Sequence, residues 1–257
     1  MRAKSFKVFV RVLVFGLMLG ASSTAYADAF SLTSFSITNL QFTASAGTAQ
    51  FTLTGSMARA EATNLVQTQN IISNSFPIAQ ASAVVNGASA SATANATTHS
   101  VSTDSTASIG GCTCTAGSFG FATLTGTLIL SGVEGDVDVN ISFLQTLLRE
   151  VKTDQSGVFA ESGTFFDILL NGTPIFSVQV EALNPTGPNG FAQVSGADQI
   201  SRTIRLQGGT ENTIFVRISS TSLVMNEVPE PATVALLVTG LGFMTGVLKK
   251  RRKKADE

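Results

Sequence analysis

The sequence predicts an all-β ectodomain, a β-sandwich of jelly-roll-like type, held between an N-terminal signal peptide and a single C-terminal transmembrane helix. Three observations predict it. About two hundred central residues alternate apolar and polar with period two and show little helical periodicity. Gly, Asn and Asp punctuate these runs at near-regular intervals, as turns do between short antiparallel strands. Apolar runs flanked by clusters of Lys and Arg stand at the two ends.

Of the 257 residues, 44% are hydrophobic and 13% charged. That is enough apolar material for a buried core and excludes a charge-rich disordered chain. The formal net charge of −1 conceals a segregation, because ten of the sixteen basic residues lie at the ends. Residues 28–227 hold only Arg59, Arg149, Lys152, Arg202, Arg205 and Arg217 against fourteen acidic residues, a net of about −8. Phosphate binding needs a basic face, so this body excludes a nucleic-acid partner.

Residues 1–27 read as a secretory signal peptide. Arg2, Lys4, Lys7 and Arg11 form its positive region, and ten apolar residues follow at 12–21. Ala25 and Ala27 frame an A-x-A cleavage site that makes Asp28 the first mature residue. Ten apolar residues are half of the roughly 20 that a spanning helix needs. The expected partners at this stage are the Sec translocon and signal peptidase. No Cys follows the apolar run, which excludes a lipoprotein.

Residues 28–226 form the expected sandwich. Phe35 and Ile37, then Leu40 and Phe42, alternate with polar residues, as do Phe51 and Leu53. Phe119 and Phe121 open a run through Leu130, and Val137, Val139, Ile141 and Phe143 share one face. Segments 165–170, 175–180, 200–206 and 213–224 supply four further strands. Asn86-Gly87 signals a type I′ turn, because both residues accept positive φ. Folding there pairs Val85 with Ala88, Ala83 with Ala90, Ala81 with Ala92 and Ala79 with Ala94, and on the other face Ser82 with Ser91 and Gln80 with Thr93. One face of that hairpin is small and apolar, the other polar. Asn171-Gly172 marks a second hairpin whose strands are apolar on both faces, which places them near the centre of the sandwich.

The two cysteines, Cys112 and Cys114, lie in a Gly-rich segment. In an oxidising compartment a local disulfide is the first expectation, with strain from its very small ring; free or intermolecularly bridged thiols are the alternative. Two thiols and one histidine make a poor zinc set, and no metal or cofactor is expected. His99 reads as a solvated strand residue, and no nucleophile elbow or triad stands in the chain, so an enzyme is not expected. Glu134, Asp136, Asp138 and Asn140 share one strand face. Calcium would suit such ligands, but Ile141 stands where an EF-type loop needs Gly, which favours a solvated acidic face.

The last segment, 227–257, carries the most specific pattern. Pro229, Glu230 and Pro231 precede seventeen uncharged residues at 232–248, and Lys249, Lys250, Arg251, Arg252, Lys253 and Lys254 follow. Seventeen residues lie at the lower limit for a transmembrane helix. The basic block is a cytoplasmic stop by the positive-inside rule. This tripartite tail resembles the PEP-CTERM sorting signal of Gram-negative bacteria, and stretches at 157–162 and 166–175 are loosely similar to the β-rich ectodomains attached to such tails. The resemblance implies exosortase as a partner and Pro229, Glu230 and Pro231 as the processing motif. It also implies export, anchoring in the inner membrane through the helix, and final delivery to the cell envelope or exopolysaccharide matrix. The expected function is structural or adhesive. The alternative is an extracellular protein that binds or processes polysaccharide, with Phe as its only ring platform, since Trp is absent and Tyr26 leaves with the signal peptide.

Overall fold

The computed structural model describes residues 29–226 apart from 111–114, 155–157, 184 and 186–188. The expectations at Ala25, Ala27, Asp28, Cys112, Cys114, Pro229, Glu230, Pro231, residues 232–248 and Lys249 to Lys254 lie outside the described residues. Twelve strands and no helix occur among those described: β1 (Ala29–Ala44), β2 (Thr48–Asn64), β3 (Thr68–Ser73), β4 (Ile78–Val85), β5 (Ala88–Asn95), β6 (Ser100–Ile109), β7 (Thr115–Ser131), β8 (Asp136–Thr153), β9 (Val158–Leu170), β10 (Thr173–Leu183), β11 (Gly190–Gln207) and β12 (Glu211–Asn226). They build two antiparallel six-stranded sheets, ordered β11-β8-β1-β6-β5-β4 and β10-β9-β12-β7-β2-β3. The chain is an all-β two-sheet sandwich.

Period-two patterning places the core. Val137, Val139, Ile141 and Phe143 all point inward from β8 and are buried. In β1 the inward set switches from Phe35 and Ile37 to Leu40, and a bulge accounts for the change of parity. Asn39 adopts φ +56°, and the register with β8 jumps between Thr38 and Gln41. Asn tolerates this left-handed conformation at little cost. A second slip between Leu53 and Gly55 turns β2 from Phe51 and Leu53 to Ala58, Ala60 and Ala62.

The β4–β5 hairpin has the register that its turn dictates, from Val85 opposite Ala88 to Ala79 opposite Ala94, with Gly87 at φ +86°. Its buried alanines pack on Ala58, Ala60, Ala62 and Ala122 of the opposite sheet. Such small side chains bring the sheets close together. A Cβ on Gly120 of β7 would lie 2.8 Å from the backbone oxygen of Ser91 in β5. Larger side chains fill the other half, where Phe143 meets Phe166 at 5.4 Å and Phe176 at 5.3 Å between ring centres. A polar seam crosses between these regions. Ser31 Oγ donates to Glu161 O (2.6 Å), Thr33 Oγ1 to Thr221 O (2.8 Å), and Ser222 Oγ to Ser105 O (3.0 Å).

Two expectations need correction. Asn171-Gly172 does turn a hairpin, with Leu170 opposite Thr173, but β10 is the edge of its sheet rather than a central strand. Pro174 cannot donate to a further strand, which suits an edge. The inward Val178 remains exposed because the sandwich is open on this side. His99 lies in a turn at φ +50°, not in a strand, and its ring stands edge-on to Phe51 at 5.7 Å.

Candidate functional site

Both chain ends leave from one end of the sandwich. Ala29 starts β1, an interior strand, opposite Ile109 and Thr153. Asn226 ends β12, the interior strand that faces β1 across the core, and lies opposite Val158. The cross-sheet bonds Ser31–Glu161 and Thr33–Thr221 show that β1 and β12 run in opposite directions, so Ala29 and Asn226 emerge together. Ile109 and Thr115 also lie at this end, opposite Ala29 and Met225. The β2–β3 turn projects here too. Asn64 Oδ1 accepts from Val66 N (2.9 Å) and Gln67 N (2.8 Å), and Asn64 Nδ2 reaches Asn86 O (3.0 Å). That turn leaves Leu65 and Val66 68% and 88% exposed.

The outer face of the second sheet carries a groove that the sequence reading did not pick out. Cross-strand pairing aligns Phe165 of β9, Ser219 of β12, Phe121 of β7 and Arg59 of β2 in one row. The next row holds Gly163, Thr221, Phe119 and Glu61. Phe165 and the Phe119–Phe121 pair thus stand about 10 Å apart, two strand spacings, over a floor of Ser219 and Thr221 hydroxyls. The depression on the Phe165 side has a volume of about 280 Å³ and is also lined by Glu161 and Gln179. Gly163 keeps the floor low, since a Cβ there would meet Thr221 Oγ1 at 2.6 Å. Two arginines lie on the rings, Arg59 5.9 Å from Phe119 and Arg217 5.0 Å from Phe165. Each is matched by a carboxylate. Arg59 pairs with Glu61 at 2.8 Å, and Arg217 makes a two-pronged contact with buried Asp167, Nε at 2.9 Å. That hydrogen bond holds the Arg217 guanidinium above its usual pKa against the opposing effect of burial. The signal for the groove was present as outward odd-numbered aromatics beside inward Gly and Ala, but a run of apolar letters reads as core until the faces are separated.

Of the acidic strip, Asp136, Asp138 and Asn140 stand on β8 while Glu134 precedes that strand, and Asp138 is paired. Asp138 Oδ1 lies 3.1 Å from Arg205 Nε across the β8–β11 pairing, and that bond, with the charges of Asp138 and Asp136, raises the arginine's pKa. Asn140 Oδ1 accepts from Ser201 Oγ at 2.7 Å. No group of three or more His, Cys, Asp or Glu able to hold a metal occurs among the described residues. Four depressions lined by described residues hold at most one carboxylate each, Asp154 or Glu161. Another basic residue, Arg149, points from β8 into the core and is 1% exposed. Its Nε donates to Ser162 Oγ at 3.2 Å and its Nη2 to Ser162 O. Burial pulls its pKa down, with the charge of Glu161 pulling the other way.

No family model matches the chain, and no curated protein or solved structure is significantly similar to it. No described helix is long and apolar enough to cross a membrane.

Proposed function

We propose that this chain is an exported, non-enzymatic envelope or matrix protein, sorted by exosortase through Pro229, Glu230 and Pro231. A single observation carries the reading. The described strands run from Ala29 to Asn226, and those two residues lie at one end of the sandwich, which supports a signal peptide and a sorting tail attached at the same end. The 17-residue helix at 232–248 anchors the precursor in the inner membrane, with the basic block in the cytoplasm, until processing delivers it to the envelope or matrix. Seven of the eleven connections between strands cross from one sheet to the other, which supports the jelly-roll-like subtype. The test replaces Pro229, Glu230 and Pro231 with Ala in a host that has exosortase. Export continues and full-length protein accumulates in the inner membrane. Trimming and release at the wild-type rate would show that the tail is a plain anchor.

The outer groove favours a second reading, polysaccharide binding, as the ectodomain's contribution. Aromatic side chains accept the apolar C–H face of a sugar, while hydroxyl, amide and carboxylate groups bond its hydroxyls. Phe165, Ser219, Thr221, Gln179 and Glu161 bring these groups together. Co-sedimentation with exopolysaccharide purified from the host tests it. Phe165→Ala weakens retention about tenfold, one ring's worth of contact; equal retention would remove the groove from the interaction.

A further inference from the structure

A sheet edge offers unpaired N–H and C=O groups to any other strand, and proteins blunt such edges by shortness, Pro, bulges or covering groups. Three of the four edges in this sandwich are blunted. β3 has only six residues. β4 has its Val84 N–H capped by Gln69 Oε1 at 2.5 Å. β10 carries Pro174 and two register shifts. The fourth is different. β11 is 18 residues long and pairs with β8 without a bulge. It contains no Pro and no Lys, its two inward charges, Asp198 and Arg202, are of opposite sign and so can pair rather than repel a second copy, and residues 193–199 are exposed on both faces. Across the core β10 packs on β8, with Phe176 against Phe143 at 5.3 Å, and meets β11 at Arg202, while residues 193–199 of β11 stay uncovered.

We propose that β11 is a dimerisation edge, and that its partner is β11 of a second copy of this chain, antiparallel about a two-fold axis at Ile200. The strand's own sequence is self-complementary in that register. On the inward face, Asp198 falls opposite Arg202 of the second copy, Val194 opposite Leu206, Gly196 opposite Ile204, and Ile200 opposite itself. On the outer face Gln193 meets Gln207, Ser195 meets Arg205, Ala197 meets Thr203, and Gln199 meets Ser201. The symmetry makes the Asp198–Arg202 pair twice. Directly opposed residues of an antiparallel pair share a face, so only registers of even sum are allowed. Moving the axis by one residue, to 199 or 201, breaks the pair, setting Asp198 against Ile200 or Ile204 and Arg202 against Gly196 or Ile200, and moving it by two, to 198 or 202, sets Asp198 or Arg202 against itself. The two charges therefore select one register and disfavour its neighbours. Arg202 keeps its existing contacts, Nη1 to Ile175 O and its guanidinium 5.6 Å from Phe176, and still has donors for a carboxylate. Residues 194–206 of each copy would add about a dozen ladder hydrogen bonds and join the two first sheets into one of twelve strands.

The test uses the full-length chain in membranes of a Gram-negative host, with Cys112→Ser and Cys114→Ser as background. Ile200→Cys crosslinks to a dimer on mild oxidation. Gln193→Cys and Gln207→Cys do not crosslink alone but do so when co-expressed. In detergent, Asp198→Arg weakens the dimer about tenfold or more by opposing four arginines. The double variant Asp198→Arg, Arg202→Asp, which restores opposite charges, recovers it. A wild-type chain that stays monomeric overturns the proposal. So does crosslinking through Ser82→Cys on β4 in place of Ile200→Cys, because the copies would then meet at the other side. If the double variant fails, the Ile200→Cys and mixed Gln193/Gln207 crosslinks decide by themselves, since they leave Arg202 in place.

Discussion

Gly120→Ala adds one methyl group where β7 approaches β5 of the opposite sheet closely. That Cβ would sit 2.8 Å from Ser91 O, 3.1 Å from Thr103 Cβ and 3.1 Å from Ser220 Oγ. Ser91 O belongs to the backbone of β5, which is held on both sides by β4 and β6, so it cannot move without shifting two ladders. Overpacking of this kind costs about 1–3 kcal/mol. Against it stands a gain of about 0.4–1 kcal/mol, because Ala restricts the unfolded chain more than Gly does. The net is a loss of about 0–2.6 kcal/mol, about 1.3 at the middle of both ranges. At about 2–4 °C per kcal/mol for a body of this size, that middle value lowers the melting midpoint by roughly 3–5 °C.

Gly55 supplies the matched control. A Cβ there would lie 3.7 Å from Thr125 Cβ, an ordinary contact, and its backbone is not in the left-handed region. Gly55→Ala therefore retains only the unfolded-state gain and raises the midpoint by roughly 1–4 °C. Thermal melts of both variants, followed by the β-sheet circular dichroism signal, give the comparison. Opposite signs are expected. If Gly120→Ala melts at or above the wild-type temperature, the alanine half of the core is looser than described, and close sheet approach does not explain its composition.

Two further substitutions test the interior. Arg149→Ala removes a buried side chain and leaves Ser162 O without one donor, a loss of about 2–4 kcal/mol, read as a lower urea midpoint; an unchanged midpoint would mean that the guanidinium is idle. Asn39→Val forces a β-branched residue into the left-handed region at the β1 bulge and costs about 1–2 kcal/mol, whereas Asn39→Gly stays within about 0.5 kcal/mol of wild type; equal losses for both would show that the Asn side chain matters more than its backbone conformation.

Local chemistry explains why some elements were legible in the sequence and others were not. The Asn86-Gly87 hairpin was readable to the residue pair, because a two-residue turn leaves one register and alternating Ala and Ser leave one choice of faces. The inward row of β8 was readable because four apolar residues alternate with polar ones. Strand placement within the sheets was not. Apolar residues on both faces of 168–180 suggested a central position, but β10 is an edge strand, and which strand ends a sheet is a property of the whole assembly. The role of Arg149 was equally hidden, since a lone Arg in a strand is ordinarily solvated and nothing local marks Ser162, thirteen residues on, as its partner. The Phe165 groove depends on alignment across β9, β12, β7 and β2, which local periodicity cannot supply.

The placement of the chain ends bears most directly on sorting. β1 and β12 are each flanked on both sides, by β8 and β6 and by β9 and β7, so neither end can fray without breaking two ladders. Had the ends left opposite poles, sixteen residues of β1 would have separated them by about 50 Å. A precursor tethered by both its signal peptide and its tail would then need a linker of that length to fold. Emerging at one end, they need none, and the body can fold completely while both tethers are in place. Only residues 227 and 228 lie between Asn226 and Pro229, about 7 Å of extended chain. Exosortase acting on the folded precursor would therefore meet its motif against the end of the sandwich, beside the exposed Leu65–Val66 turn. On the proposed sorting reading the enzyme needs an open mouth wide enough to admit that end.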